Sequence, residues 1–487
     1  MVRFMSRRSF ISSGAACAGA AVLNHRGGAS LLTGDEPPLS KTIRLRATMR
    51  TLEINDKAAT LMGLEQTDGK QGLTTLVVNQ PFDVLVENKL AVPTAIHWHG
   101  LHPPNHQDGV PGLTQPPIVP NASDRYYFPL KPAGTHWMHS HLGLQEAFLL
   151  SAPLIVHDPS DKGVDEQEII LFLGDFSFTP PTEIYAKLRK PSGKEMAMSG
   201  SMTHGKPAMA MGKPDVSDVN YDAYLANDRT LADPEVVRVE RRGKIRLRII
   251  NGSSGTNFLI SLGNLRGELI ATDGMAVQPL SGSHFPLAIA QRIDVRVQIP
   301  QEGAFPILAF REGATEQTGI ILATPNASIR KLPVKNATPA GLLTLDTESR
   351  LVAADPLASK AIDRSFDLRL QGNMARYEWP INGIIFDTAK PRGQAAQVRV
   401  KQGQRVAVKF INETGMSHPM HLHGHSFQVI EINGKALNGA LRDTILVPPK
   451  MSVTVAFDAN NPGTWYLHCH ILWHLAAGMA TLVKYEG

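Results

Sequence analysis

The chain has 487 residues, which allows about three domains of roughly 150 residues and excludes a small stapled peptide. Hydrophobic residues make up 43% and charged residues 19%, which excludes wholesale disorder, and no apolar run reaches the ~20 residues of a bilayer-crossing helix. Four of the five net positive charges come from arginines within residues 1–30, and the rest carries no basic stripe, which argues against nucleic acid as a partner.

The first 34 residues read as an address. Ser6-Arg7-Arg8-Ser9-Phe10-Ile11 precedes a mildly apolar, Ala/Gly-rich stretch, a pattern that resembles a twin-arginine export signal and implies the twin-arginine machinery as a partner and a periplasmic or otherwise exported location. Cys17 lies in this leader, so the exported chain would keep one thiol, Cys469, and could form no internal disulfide. Gly 41 and Pro 34 against 6% aromatic residues favour turn-rich β structure over long helices.

Beyond the leader, hairpin-like segments of alternating polarity recur at 75–88 (TLVVNQPFDVLVEN), 237–251 (VRVERRGKIRLRIIN) and 398–412 (VRVKQGQRVAVKFIN). Their terminal asparagines, Asn88, Asn251 and Asn412, stand 163 and 161 residues apart. The repeat predicts three homologous β-sandwiches in tandem, over 41–160, 165–335 and 360–487. Within the second lies KEMAMSGSMTHGKPAMAMGKP (194–214), which holds Met196, Met198, Met202, Met209, Met211 and His204. Thioethers suit Cu(I), whereas interleaved Gly, Ser, Pro and Lys do not suit a core strip, so a cuprous-ion-capturing loop competes with a tolerant insertion.

The repeats differ in chemistry. Nine and eleven residues after the terminal asparagine stand His97 and His99 in the first unit and His421 and His423 in the third, but Ile260 and Leu262 in the second. A later segment carries His139-Ser140-His141 in the first unit and His468-Cys469-His470 in the third, and is apolar in the second. Of 18 histidines, 14 fall in four windows, 97–106, 136–141, 418–425 and 468–474. Residues i and i+2 of a strand share a face, so four His-x-His pairs offer eight imidazoles, more than one zinc needs and suited to several copper ions. Cys469 faces away from its two neighbours. With His418, His474 and Met479 it completes the thiolate, imidazole and thioether set of a blue-copper centre, whereas the first unit has Thr94, Ser140, Gln145 and Leu150 at those places.

HWHG (97–100), HWMHSH (136–141), HPMHLHGHSF (418–427) and HCHILWHLAAGM (468–479) resemble the copper motifs of three-domain, laccase-like multicopper oxidases, and GTHWMHSHLGLQE (134–146) with GALRDTILVPP (439–449) looks closest to periplasmic copper-resistance oxidases. The resemblance implies three cupredoxin-like Greek-key β-sandwich domains and four copper ions. It assigns a type 1 copper to His418, Cys469, His474 and Met479, and a type 2 copper to His97 and His421. The type 3 pair falls to His99, His139 and His470 on one ion and His141, His423 and His468 on the other. It implies one-electron oxidation of Cu(I) or phenolic donors coupled to reduction of dioxygen to water, in copper tolerance. Asp108 in QDGVPG matches the acid the family places near the cluster for proton relay, against a plain turn-forming Asp-Gly. Leu475 stands where many bacterial members carry an acid. Competing readings are a copper-sequestration protein without turnover, a degenerate scaffold and a nitrite reductase.

Overall fold

A computed structural model describes residues 42–190 and 216–486. The leader, Cys17 and the methionine-rich segment 194–214 lie outside the described residues. The described chain is built from strands with two α-helices, Pro181–Leu188 and Leu472–Ala476. No helix among the described residues is long and apolar enough to cross a membrane.

The strands form six sheets, two for each repeat. In the first repeat one sheet runs Lys57–Gln66, Ile43–Ile54, Pro81–Asn88, Ser123–Pro129, and the other runs Leu73–Val77, Ser151–His157, Gly134–Ser140, Ile96–His97. The second sheets of the later repeats follow the same order: Val236–Arg238, Gln317–Ala323, Ala304–Arg311, Phe258–Ser261, His284–Leu287, and then Val398–Val400, Ala480–Tyr485, Thr464–Cys469, His418–Leu422, Thr444–Val447. In every case the short leading strand lies parallel to the last strand of its repeat.

That arrangement corrects the hairpin reading of the three repeated segments. Leu73–Val77 and Pro81–Asn88, expected to pair, sit in opposite sheets, as do Val236–Arg238 with Lys244–Asn251 and Val398–Val400 with Arg405–Asn412. Alternation fixes which side of a strand is apolar, not which strand it bonds. Leu73 and Leu76 therefore meet Phe82, Val84 and Val86 across one shared core instead of lying beside them on one face.

The terminal asparagines explain why each repeat turns alike. Asn88 Nδ2 donates to the carbonyls of Val92 and Ile118, and its Oδ1 accepts from Leu90 N. Asn251 does the same with Thr256, Leu287 and Ser253, and Asn412 with Met416, Val447 and Thr414. All three side chains are buried, so each amide ties the end of its strand to the backbone of two other segments and aims the chain into the following strand. That strand carries histidines in the first and third repeats. In the second, Ile260 and Leu262 enter the core at 0% exposure.

Candidate metal centre

The histidine strands lie edge to edge in pairs. Ile96–His97 pairs with Gly134–Ser140 so that His97 faces His139, and His418–Leu422 pairs with Thr464–Cys469 so that His421 faces His468. These two ribbons, from the first and third repeats, bring their rings face to face. His97 stacks on His423 with centroids 3.8 Å apart, and His99 on His421 at 3.7 Å. The eight imidazoles of the four His-x-His pairs thus converge.

The sets that the resemblance implies each lie close together, although rings of different sets, such as His97 and His423 or His99 and His421, lie closer still. His99, His139 and His470 lie with centroids 4.9 to 5.7 Å apart. His141, His423 and His468 lie 5.0 to 5.2 Å apart. His97 and His421 lie 5.8 Å apart. Nε2 of His97, His139, His141, His421 and His470 and Nδ1 of His99 are buried without a hydrogen-bond partner. Nε2 of His423 and His468 point at each other across 3.0 Å. An unpaired buried polar atom costs about 1–3 kcal/mol, so six of them in one place call for cations to satisfy them. Burial first, and the neighbouring imidazoles second, hold His139, His141, His423, His468 and His470 well below the usual histidine range, and so in the neutral form that binds metal.

On six of the eight rings the opposite nitrogen is held by a hydrogen bond. His97 Nδ1 donates to the Asp108 carbonyl at 2.9 Å, and His423 Nδ1 donates to Asp108 Oδ2 at 2.8 Å. Asp108 is fully buried and touches two of the predicted residues. Three further residues that sequence reading missed complete the surround. Glu146 Oε2 lies 2.8 Å from His139 Nδ1, and burial, then Asp175, pushes its carboxyl well above the usual range. Asp443 Oδ1 accepts from His99 Nε2 at 3.0 Å and its carbonyl accepts from His421 Nδ1 at 2.8 Å. Burial would raise Asp443, but Arg292 and His99 outweigh it and hold it well below the carboxylate range.

The second grouping lies on the other face of the same strand. Cys469 Sγ is 3.7 Å from His418 Nδ1 and 3.8 Å from His474 Nδ1, and all three are buried. Met479 is fully buried in the same core, its carbonyl accepting from Cys469 N at 3.0 Å and its amide donating to His474 O at 3.0 Å. Burial pushes the Cys469 thiol up, so a bound cation is needed to draw off its proton. His418 Nε2 is held by Thr414 Oγ1 at 2.7 Å, and His474 Nε2 lies 3.0 Å from Asp218 Oδ2. Tyr377 donates to that carboxylate at 2.5 Å, while Trp379 covers the His474 ring at 4.0 Å. Asp218 is the third missed carboxylate. A thiolate with neutral imidazoles and a thioether suits copper better than zinc or a hard cation.

In the first repeat the equivalent place is filled by a polar trio. Thr94 Oγ1 and Ser140 Oγ both donate to Gln145 Oε1, at 2.8 and 2.7 Å, and Gln145 Nε2 donates to Pro93 O. This set closes on itself and leaves no donor for a metal. His102, His136 and His425 stay out of the groupings: His102 meets Ser426, His425 meets Tyr485, and His136 packs between Gly100 and Gly274.

Family models described as multicopper oxidase match residues 68–161, 167–327 and 363–486. The chain is 33% identical to multicopper oxidase MmcO of Mycobacterium tuberculosis, covering 85% of this chain and 81% of that one. It is 26% identical to a copper resistance protein A homolog of Pseudomonas syringae pv. tomato, over 82% and 85% of the two chains. Among solved structures it resembles Fet3p, described as a multicopper oxidase that functions in iron import, at TM-score 0.75 and 18% identity over 91% and 90% of the chains. The laccase of Botrytis aclada matches at TM-score 0.74 and 25% identity over 91% and 86%.

Proposed function

Because this chain belongs to the multicopper oxidase family, and is thereby a copper-dependent, laccase-like oxidoreductase using oxygen, we propose that it oxidises Cu(I) or phenolic donors one electron at a time and reduces dioxygen to water. In this reading four coppers are held. His418, Cys469, His474 and Met479 hold one, and His97 and His421 another. His99, His139 and His470 hold a third, and His141, His423 and His468 a fourth. Bound copper supplies one-electron redox chemistry and the affinity for dioxygen that no side chain offers.

The observation that carries the reading is the placement of Cys469. Its sulfur faces His418 and His474 while its sequence neighbours His468 and His470 face the other grouping, so two peptide units connect the two sites. Asp218 and Tyr377 form a buried acidic, hydrogen-bonding pair behind His474, which would favour a cation approaching this ring. Both flanks of the methionine-rich segment meet there: Arg189 donates to Tyr377 O at 2.8 Å, and Asp218 accepts from Tyr377 Oη. This supports a role for Met196, Met198, Met202, Met209 and Met211 in delivering cuprous ions. Asp108 and Glu146 line the histidine cluster as buried carboxyl groups able to hold protons for reduced oxygen, which answers the absence of an acid at Leu475.

A role in copper tolerance, with export by the twin-arginine route to the periplasm, completes the proposal. It rests on the paired arginines at 7 and 8 and on the likeness to proteins named for copper resistance. The test is oxygen uptake by copper-loaded protein with Cu(I), phenols and Mn(II) offered in parallel. Uptake driven by Cu(I) or phenols supports the proposal, whereas copper binding with no oxygen consumed means sequestration.

A further inference from the structure

Arg292 belongs to the middle repeat, which contributes no candidate ligand, yet it lies against the histidine cluster at 0% exposure. A guanidinium has five N–H donors in a fixed fork, and all five are used. Nε donates to Thr135 O of the first repeat at 3.1 Å. Nη1 and Nη2 each donate to one carboxylate oxygen of Asp443 in the third repeat, at 2.7 and 2.5 Å. The remaining two bonds go to Ala290 O and Asp273 O, both at 3.1 Å and both within the middle repeat.

The same repeat grips the backbone around Asp443. Asp273 Oδ2 accepts from Asp443 N at 3.3 Å and Thr444 N at 3.2 Å, and Gln291 Nε2 donates to Thr444 O at 3.1 Å. The gripped residues are those that orient two imidazoles. Asp443 Oδ1 accepts the Nε2–H of His99, which leaves Nδ1 without a proton, while the Asp443 carbonyl accepts the Nδ1–H of His421, which leaves Nε2 without one. His99 therefore presents the opposite nitrogen from His421, and a rotation of the Asp443 carboxylate would leave His99 Nε2 with Thr444 Oγ1 alone, at 3.2 Å. Gly100 permits the approach, since a Cβ there would lie 2.5 Å from Arg292 Nη2 and 3.0 Å from Asp443 Oδ2.

We infer that Arg292 is a positioning residue for the copper cluster, acting through Asp443 to fix which nitrogens His99 and His421 offer, so that the ligand-free middle repeat governs cluster occupancy. The inference rests on the proposed assignment of His99 and His421 as copper ligands. A lysine cannot replace the fork, because a point charge cannot hold both carboxylate oxygens in one plane.

The experiment compares Arg292→Gln and Arg292→Lys with the parent and with Arg50→Met. That control breaks the Arg50–Asp228 pair, which also links the first and second repeats but touches no candidate ligand. Each protein is loaded with copper and measured for copper per chain under chelator competition, electron paramagnetic resonance of the type 2 and type 1 signals, blue absorption and melting temperature. Loss of a partner behind a metal ligand weakens metal binding about 10- to 100-fold. Both Arg292 variants are expected to bind cluster copper at least about tenfold more weakly, with altered type 2 lines and an unchanged type 1 signal. Unchanged type 2 lines and copper content overturn the inference. So does parallel loss of both copper types in step with melting, matched by Arg50→Met. If Arg292→Gln does not fold, Arg292→Lys decides by the same readouts. A parent protein that takes up no cluster copper refutes the ligand assignment instead.

Discussion

Ser140 and Cys469 occupy equivalent positions in the first and third repeats: Ser140 N donates to Leu150 O at 2.9 Å, and Cys469 N donates to Met479 O at 3.0 Å. The backbone frame is shared and only the side chains decide whether it holds a metal. Cys469→Ser should abolish the blue absorption while the histidine cluster keeps its copper, as visible spectroscopy and metal analysis will report. Ser140→Cys should add no blue colour, because Thr94, Gln145 and Leu150 supply neither imidazole nor thioether.

Replacing Asn251 with alanine removes three buried hydrogen bonds and strands the Ser253 amide and the Thr256 and Leu287 carbonyls. At about 1 kcal/mol or more for each orphaned group, the loss comes to about 3 kcal/mol. Thermal melting should drop by several degrees. The difference from the parent should persist with and without copper, since Asn251 touches no candidate ligand.

Much of this was legible in the sequence because it is local. The period of two in His97-x-His99 and His468-x-His470, and the fixed offset from each asparagine, are properties of short strands. Glu146, an acid inside the apolar run LGLQEAFLL, carried a signal too, since a charge in such company needs a partner. Arg292 and Asp218 had none, and Asp443 had only its place in GALRDTILVPP, because their meaning lies in contacts between repeats. Arg292 and Asp443 are 151 residues apart, and no periodicity reports that distance. The hairpin reading failed for a related reason: alternation is blind to which sheet a strand joins.

Gly100 has φ +93°, and a Cβ there would lie 2.4 Å from His136 Nδ1 as well as against Arg292 and Asp443. Gly100→Ala combines an unfavourable backbone with a clash in the densest part of the site, so a loss of about 3 kcal/mol or more is expected. Melting temperature and copper retention should fall together.

Burial holds the His136 and His425 imidazoles down to about 3. Between pH 6.5 and that value the unfolded chain binds the protons that the folded chain refuses, so stability falls as pH falls, by about 1.4 kcal/mol per pH unit for each ring. His136→Gln should flatten the slope of unfolding free energy against pH by about one proton in that window. An unchanged slope would mean that His136 is protonated in the folded protein.

Deleting 194–214 should lower turnover with Cu(I) far more than with phenols, as measured by oxygen uptake. An equal loss of both would remove the segment from copper delivery.

The interleaving of His97 with His423 and of His99 with His421 has a consequence for biogenesis. A nascent chain that has emerged through its second sandwich owns His99 and His139 of one proposed set, His141 of another and His97 of the pair, and the remaining histidines arrive with His418–Leu422 and the segment from Thr464 to His470. Metal offered earlier would meet two or fewer imidazoles per ion and dissociate readily. Maturation is therefore ordered by the chain itself, with polypeptide completion first and metallation second, and a metallochaperone would find its acceptor only in the finished fold.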